Sequence, residues 1–275
     1  MSRKVNSQLK AKLEKLKRIL KELDSVVIAF SGGLDSTFLL KIARDVLGKD
    51  KVLAVTAYSR TYPKMEYNLA KDLAKRLDVK HITVYTKELE NSSFRKNTPW
   101  RCFYCKDELF RKLNLLAQAK GYQRVLDGTN YEDEFDYRPG RKASKKWNIL
   151  SPLKEVRLRK NEIRLLARNF GLPNWDKPPQ ACLSSRIPYY TEITPAKLER
   201  IEKAEDFLYK KGFKQVRVRF YEHLARIEVG KEEIRRFLNS RLCREVIRKF
   251  KKLGFKYITL DLEGYRTGSM NETFK

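Results

Sequence analysis

The sequence predicts an α/β fold: a doubly wound parallel sheet followed by a smaller C-terminal α+β domain. Three observations carry that expectation. Short β-branched apolar runs alternate with helix-period segments over roughly the first 150 of the 275 residues. A glycine pair sits directly between the first such run and the helix after it. Beyond Leu153 the alternation stops, a long proline-containing stretch intervenes, and strands and helices then resume in a different arrangement.

Taken in order, Leu9, Leu13, Leu16, Ile19, Leu20 and Leu23 recur at helical spacing and predict an amphipathic helix leading into the fold. Residues 26–30 form a continuous apolar run, followed at once by Ser-Gly-Gly and then by helical spacing over residues 36–46, which reads as strand, glycine loop and helix. Residues 52–57 and 81–85 read as strands separated by a helix over 64–77, and a helix over 106–120 leads to a strand at 125–126. A helix over 160–170 stops at Gly171, with Pro173 beyond it. The irregular stretch 174–190 carries Pro178, Pro179, Cys182 and Pro188, and a compact domain rarely holds so long a loop without a functional reason. The boundary is therefore expected after it, giving domains 1–190 and 191–275. Pro195, in the first turn after Thr194, opens a helix reaching residue 211. Strands at 215–220 and 225–229, helices at 231–239 and 242–253, and a last strand at 256–261 complete the small module.

The formal charge of +27 invites a nucleic-acid partner. The excess is spread evenly, however: residues 183–275 hold 22 Lys or Arg against 13 Asp or Glu, the same density as the whole chain. A basic solvated surface and an RNA-binding surface are thus both compatible with it. No apolar run approaches the roughly 18 residues of a membrane span, and the basic N-terminal segment lacks the apolar core of a secretory signal, so a cytoplasmic protein with no membrane partner is expected. Four cysteines are too few for a disulfide scaffold, and two histidines give no Ser-His-Asp order.

Chemistry concentrates at Ser31-Gly32-Gly33-Leu34-Asp35-Ser36. A strand that ends in this loop and opens a helix gathers backbone N–H groups at the positive end of the helix dipole, where anions bind. Gly32 and Gly33 permit close approach to phosphate, Ser31 and Ser36 add hydroxyls, and Asp35 is suited to Mg2+. No Gly-Lys-Ser or Gly-Lys-Thr follows. A pyrophosphate-sized cradle of this kind favours attack at the α-phosphate of ATP with pyrophosphate leaving. The loop matches the PP-loop pattern of the ATP pyrophosphatases, a superfamily that includes synthetases and tRNA thiolases.

Cys102 and Cys105 lie two residues apart at a helix start and are suited to ligating one metal centre, with Cys182 as a third thiolate. The pair alone also fits a zinc site, a redox dithiol or buried packing. Cys243 reads as core packing beside Val246, Ile247 and Phe250.

The stretch Pro179-Gln180-Ala181-Cys182-Leu183-Ser184-Ser185-Arg186-Ile187-Pro188-Tyr189 closely resembles the LarE family of ATP-dependent sulfur transferases, as do Gly128-Thr129-Asn130, Asp136-Tyr137-Arg138-Pro139-Gly140 and Ser151-Pro152-Leu153. The likeness continues through Arg217-Val218-Arg219 and residues 225–229. It implies adenylation of a carboxylate of a pyridinium mononucleotide and its conversion to a thiocarboxylate, on the route to a nickel-pincer nucleotide. Some members sacrifice the sulfur of the cysteine matching Cys182; those with the additional Cys-x-x-Cys are thought to hold a 4Fe-4S cluster on three cysteines, here Cys102, Cys105 and Cys182. The resemblance further implies that Gly128, Thr129, Asn130 and Asp133 complete the nucleotide site, that Arg186 joins Cys182 and Asp35 in catalysis, and that Arg138, Ser185, Arg217 and Arg219 hold the substrate phosphate. The expected partner is a small-molecule nucleotide and the expected state a homo-oligomer. A tRNA thiolase using the same activation chemistry, and a non-catalytic nucleotide- and zinc-binding protein, are the alternatives.

Overall fold

The computed structural model describes residues 6–134 and 139–274. It divides into two compact units, Met1–Asn91 with Pro99–Gln180 and Ser92–Thr98 with Ala181–Lys275. In the first unit, α1 (Ser7–Glu22) leads into β1 (Val26–Ala29), α2 (Leu34–Leu47), β2 (Val52–Tyr58), α3 (Lys64–Arg76) and β3 (Lys80–Tyr85). The short α4 (Ser92–Arg95) belongs to the second unit. The chain then returns with α5 (Arg101–Ala119), β4 (Arg124–Asp127), α6 (Gly140–Lys146), α7 (Pro152–Glu155) and α8 (Lys160–Asn169).

The sheet order is β3-β2-β1-β4, and every pairing is parallel. Alternation along β1 sorts the two faces. Val26 and Ile28 pack with Leu16 and Leu20 of α1, Phe38 and Leu39 of α2 and Ile163 of α8, whereas Val27 packs with Phe110 and Leu113 of α5. Helices therefore cover both faces, as the near-continuous apolar strands require. The strand order reverses at β1, between β2 and β4, and in such sheets the crevice at the carboxyl ends of the strands beside the reversal is where ligands bind.

The second unit holds α9 (Pro195–Lys210), β5 (Val216–Tyr221), β6 (Leu224–Val229), α10 (Ser240–Lys252) and β7 (Tyr257–Leu260). Thr194, where the helix was expected to start, caps α9, its hydroxyl accepting from Lys197 N at 3.3 Å. In the sheet β5-β6-β7 the first pair is antiparallel and the second parallel. The segment 231–238, expected as an α-helix, is a 3-10 helix.

The division falls at Gln180 rather than at residue 190. Leu183 and Ile187 are buried in the small unit, and residues 92–98 join it through a two-stretch clasp. Tyr190 N donates to Asn97 O at 3.0 Å, Ile193 N to Arg95 O at 2.9 Å, and the buried Asn97 amide to the carbonyls of Ile187 and Pro188.

Candidate active site at the glycine loop

Phe30 N donates to Val55 O at 2.8 Å, prolonging the β1–β2 ladder up to the loop. Gly32 then turns with φ of +61°, and a Cβ there would stand 3.0 Å from the backbone of Ala70 in α3, so glycine is required both by conformation and by space. Gly33 caps α2, and the two serines close over it: the Ser31 and Ser36 hydroxyls lie 3.2 Å apart, while Ser36 Oγ and Thr37 Oγ1 donate to Gly33 O. Two side chains outside the motif hold this backbone. Asn174 Nδ2 donates to Gly32 O at 3.1 Å and to Thr37 Oγ1 at 3.0 Å, and Tyr62 OH donates to Ser31 O at 2.6 Å. Burial, reinforced by Glu66, pushes the Tyr62 hydroxyl well above its usual range and keeps it a donor.

The segment after β4 meets the first turn of α2. A Cβ on Gly128 would fall 2.8 Å from Ser36 N, so only glycine lets the two backbones touch. Asn130, almost wholly buried, donates to Asp35 Oδ2 at 3.0 Å, its Oδ1 accepts from Glu132 N and Asp133 N, and its own N–H donates to Asp133 Oδ2. Ser31 to Ser36 and Gly128 to Asp133, separated by some ninety residues of chain, are thus one constellation of backbone amides, hydroxyls and carboxylates. That donor set fits the phosphates of ATP and, through Asp35, a hard divalent cation such as Mg2+.

Beside it the buried Asp127 accepts from Thr129 Oγ1 at 2.9 Å and Ser151 Oγ at 2.7 Å, and Lys106 Nζ stands 3.9 Å away. Lys106 follows Cys105 on the first turns of α5, which carry Cys102, exposed, and Cys105, half-buried. A Cβ on Gly140 would lie 2.7 Å from Lys106 Cδ and 3.3 Å from Cys102 O, so the start of α6 packs on this turn. Asn174, Tyr62, Lys106 and Asp127 were not anticipated; the one available signal was Ser151, inside a motif already singled out.

In the second unit Cys182 is half-buried and precedes a turn in which Ser185 N donates to Cys182 O at 3.0 Å. Arg186 is fully buried. Its Nε and Nη2 form a fork with Glu205 at 3.0 Å each, and Nη1 donates to the carbonyls of Ala181 and Cys182 and to Ser185 Oγ. Burial opposes its charge, but Glu205 more than offsets that and the guanidinium pKa rises. Arg219 likewise forks onto Glu228, at 2.9 and 2.7 Å, and donates to Ser185 O. Arg217 donates to Val216 O and lies 5.0 Å from the Tyr265 ring centre; burial pushes its pKa down. Arg217 and Arg219 are inside because β5 is buried on both faces. Arg138 lies outside the described residues. Cys243 is half-buried with its thiol on Phe237 O. Among the described residues no group of three or more His, Cys, Asp or Glu side chains is gathered to hold a metal ion, and no helix is long and apolar enough to cross a membrane.

Comparison with known proteins gives the geometry its context. The NAD synthase family model matches residues 4–195. An uncharacterised protein of Synechocystis is 45% identical over 96% of this chain and 98% of its own length. The pyridinium-3,5-bisthiocarboxylic acid mononucleotide synthase of Lactiplantibacillus plantarum is 41% identical over 92% of this chain and 91% of its own. An uncharacterised protein of Methanocaldococcus jannaschii is 34% identical over 93% and 98%. With the glycine loop, its parallel sheet and this likeness over nearly the whole length, the chain belongs to the LarE-type ATP-dependent sulfur transferases of the PP-loop superfamily.

Proposed function

We propose that this enzyme adenylates a carboxylate of a pyridinium-biscarboxylate mononucleotide and then replaces AMP by sulfur. The observation that carries the reading is the meeting of the glycine loop with Asn130 and Asp133 around Asp35, in a chain 41% identical to a synthase of the corresponding thiocarboxylate. The loop amides with Ser31 and Ser36 bind and orient the triphosphate, and Asp35 with Asp133 would hold Mg2+, which would offset negative charge on the phosphates. An acceptor carboxylate oxygen attacks the α-phosphorus, the bond to the β-phosphate oxygen breaks, and pyrophosphate leaves. A sulfur nucleophile then adds to the acyl carbon, and AMP departs with the carboxylate oxygen as the C–O bond breaks.

Arg186 acts as a positioning residue under this reading, fixing the backbone of Cys182 through its carbonyl. Cys102, Cys105 and Cys182 are soft thiolate donors suited to a 4Fe-4S cluster, two of them one turn apart on α5. Held by these three residues, such a cluster would supply sulfide for the transfer. The substrate phosphate is assigned to Arg138, Ser185, Arg217 and Arg219 by family likeness alone. We place the enzyme in the cytoplasm as a homo-oligomer, which sedimentation analysis reads directly.

Anaerobic reconstitution tests the sulfur source. Iron and sulfide per chain are expected to fall to background in the C102A/C105A/C182A variant, and unchanged binding would sink the cluster. The +27 charge favours one second reading, an RNA base as acceptor. Salt-dependent retention of tRNA together with ATP-driven thiolation is its mark, and no retention at moderate salt counts against it.

A further inference from the structure

We infer that Tyr62 and Asn174 are positioning residues for the adenylation step, aiming the N–H groups of Gly32 and Gly33 at the triphosphate of ATP. The inference deepens the proposed function and rests on its nucleotide loop. A trans peptide is planar, so its N–H points opposite to its C=O. Tyr62 OH donates to Ser31 O at 2.6 Å and Asn174 Nδ2 to Gly32 O at 3.1 Å, so the carbonyls of two successive peptides are pinned from outside the motif. The N–H groups of Gly32 and Gly33 belong to those same two peptides, and each is thereby turned away from its pin. Among the described residues nothing accepts from Gly32 N, and Gly33 N reaches Ser31 Oγ only at 3.4 Å, the length of a weak bond. Two donors of the loop are thus fixed in direction without a strong acceptor, which suits them to phosphate oxygens.

Both pins are themselves held. Gly32 O only accepts, so Asn174 must present the NH2 end of its amide, which also donates to Thr37 Oγ1 at 3.0 Å. Its Oδ1 is buried and meets no donor among the described residues. A side chain that leaves one acceptor bare in order to place two donors points to a need for those donors. Asn174 stands in the turn after α8, closed by Lys177 N on Asn174 O at 3.2 Å. Tyr62 immediately precedes Pro63, the N-cap of α3, and Glu66 lies in that helix's first turn. Lys177 and Glu66 form a largely buried ion pair at 2.5 Å, which ties the segment carrying Asn174 to the helix that follows Tyr62. Ala70, one turn further along α3, is the neighbour that leaves no room for a Cβ at Gly32. The loop is therefore clamped from two sides, and its donors are directed before the nucleotide arrives.

The test measures binding of ATP with Mg2+, and separately of AMP, to the full-length enzyme by calorimetry. The wild type is expected to bind ATP more tightly than AMP, because a pyrophosphate-sized cradle offers AMP little. Tyr62→Phe removes one oxygen atom, and Asn174→Leu removes the amide at similar volume. Each is expected to weaken ATP binding about tenfold, the scale of one charge-assisted hydrogen bond, and the double variant about 100-fold. AMP affinity should stay within about twofold of wild type in all three. Arg168→Ala is the control: its guanidinium packs 4.9 Å from the Trp175 ring centre, on the same segment as Asn174, and both nucleotides should bind as to the wild type. Unchanged ATP affinity in either single variant overturns the inference while the proposed function stands. Equal loss of ATP and AMP affinity also overturns it, since the two side chains would then only maintain the fold. A wild type that binds ATP no more tightly than AMP overturns the loop as the triphosphate site, and the proposed function with it.

Discussion

Asp35 shows how much a single side chain can carry. It opens α2, its Oδ2 accepts from the buried Asn130 amide, and its position at the end of β1 puts a carboxylate beside backbone amides that draw in phosphate. Asp35→Asn keeps the Asn130 contact sterically while removing the charge that we propose holds a metal, so the fold should survive and turnover should not. Pyrophosphate release is expected to fall by about 100-fold or more, the scale of several kcal/mol of metal-borne stabilisation, with thermal stability little changed. The residues of this cradle were legible because Ser-Gly-Gly-x-Asp-Ser is a local pattern whose chemistry follows from its neighbours in sequence. Asn174 was not, since its amide reaches Gly32 O and Thr37 Oγ1 across some 140 residues, and nothing beside it in the chain signals that reach. Lys106 and Asp127 escaped for the same reason: an isolated lysine and aspartate acquire meaning only when α5 and β4 are side by side.

Elements were read well where periodicity is strong. The strand-loop-helix at the start and the capped α9 have the expected order and type, because apolar spacing and turn chemistry agree there. β5 conceals a feature that its pattern hides: alternating Val and Arg suggests one wet face, yet Arg217 and Arg219 are buried. What makes that tolerable is pairing, Arg219 with Glu228 and Arg186 with Glu205, the latter also accepting from Val218 N of β5. Glu205→Gln leaves a buried guanidinium without its counter-charge and should destabilise the small unit by ~3–5 kcal/mol in a denaturant titration.

A second prediction at this scale concerns β3. His81 Nε2 lies 2.8 Å from Thr56 Oγ1, whose proton goes to Phe30 O, so the imidazole donates from Nε2. Burial, then Lys71, lowers its pKa below the usual 6.5. Because the unfolded chain binds the proton more readily, the stabilising contribution is complete above about pH 6.5 and fades as pH falls through that value towards the depressed one. Melting curves at about pH 7.5 and about pH 5.5 should therefore differ more for wild type than for His81→Gln.

At the scale of the whole molecule, the sequence places a nucleotide unit before a smaller one, and the structure moves their border to Gln180. The ten residues in question contain no periodic signal, and their partners, residues 92–98, lie far back in the chain, so only the folded clasp reveals to which unit Cys182 belongs. That assignment matters for chemistry: the Cys102 and Cys105 pair stands on the nucleotide unit, while Cys182 stands on the other. The glycine loop, where we propose the activation step occurs, belongs to the first unit.

That activation step is open to an isotope test. With acceptor carboxylates labelled with 18O, in unlabelled water and with ATP and a sulfide source, mass spectrometry of the released AMP is expected to show one 18O, carried over when sulfur displaces the adenylate. Unlabelled AMP, or ADP and phosphate in its place, would contradict attack of the acceptor on the α-phosphorus.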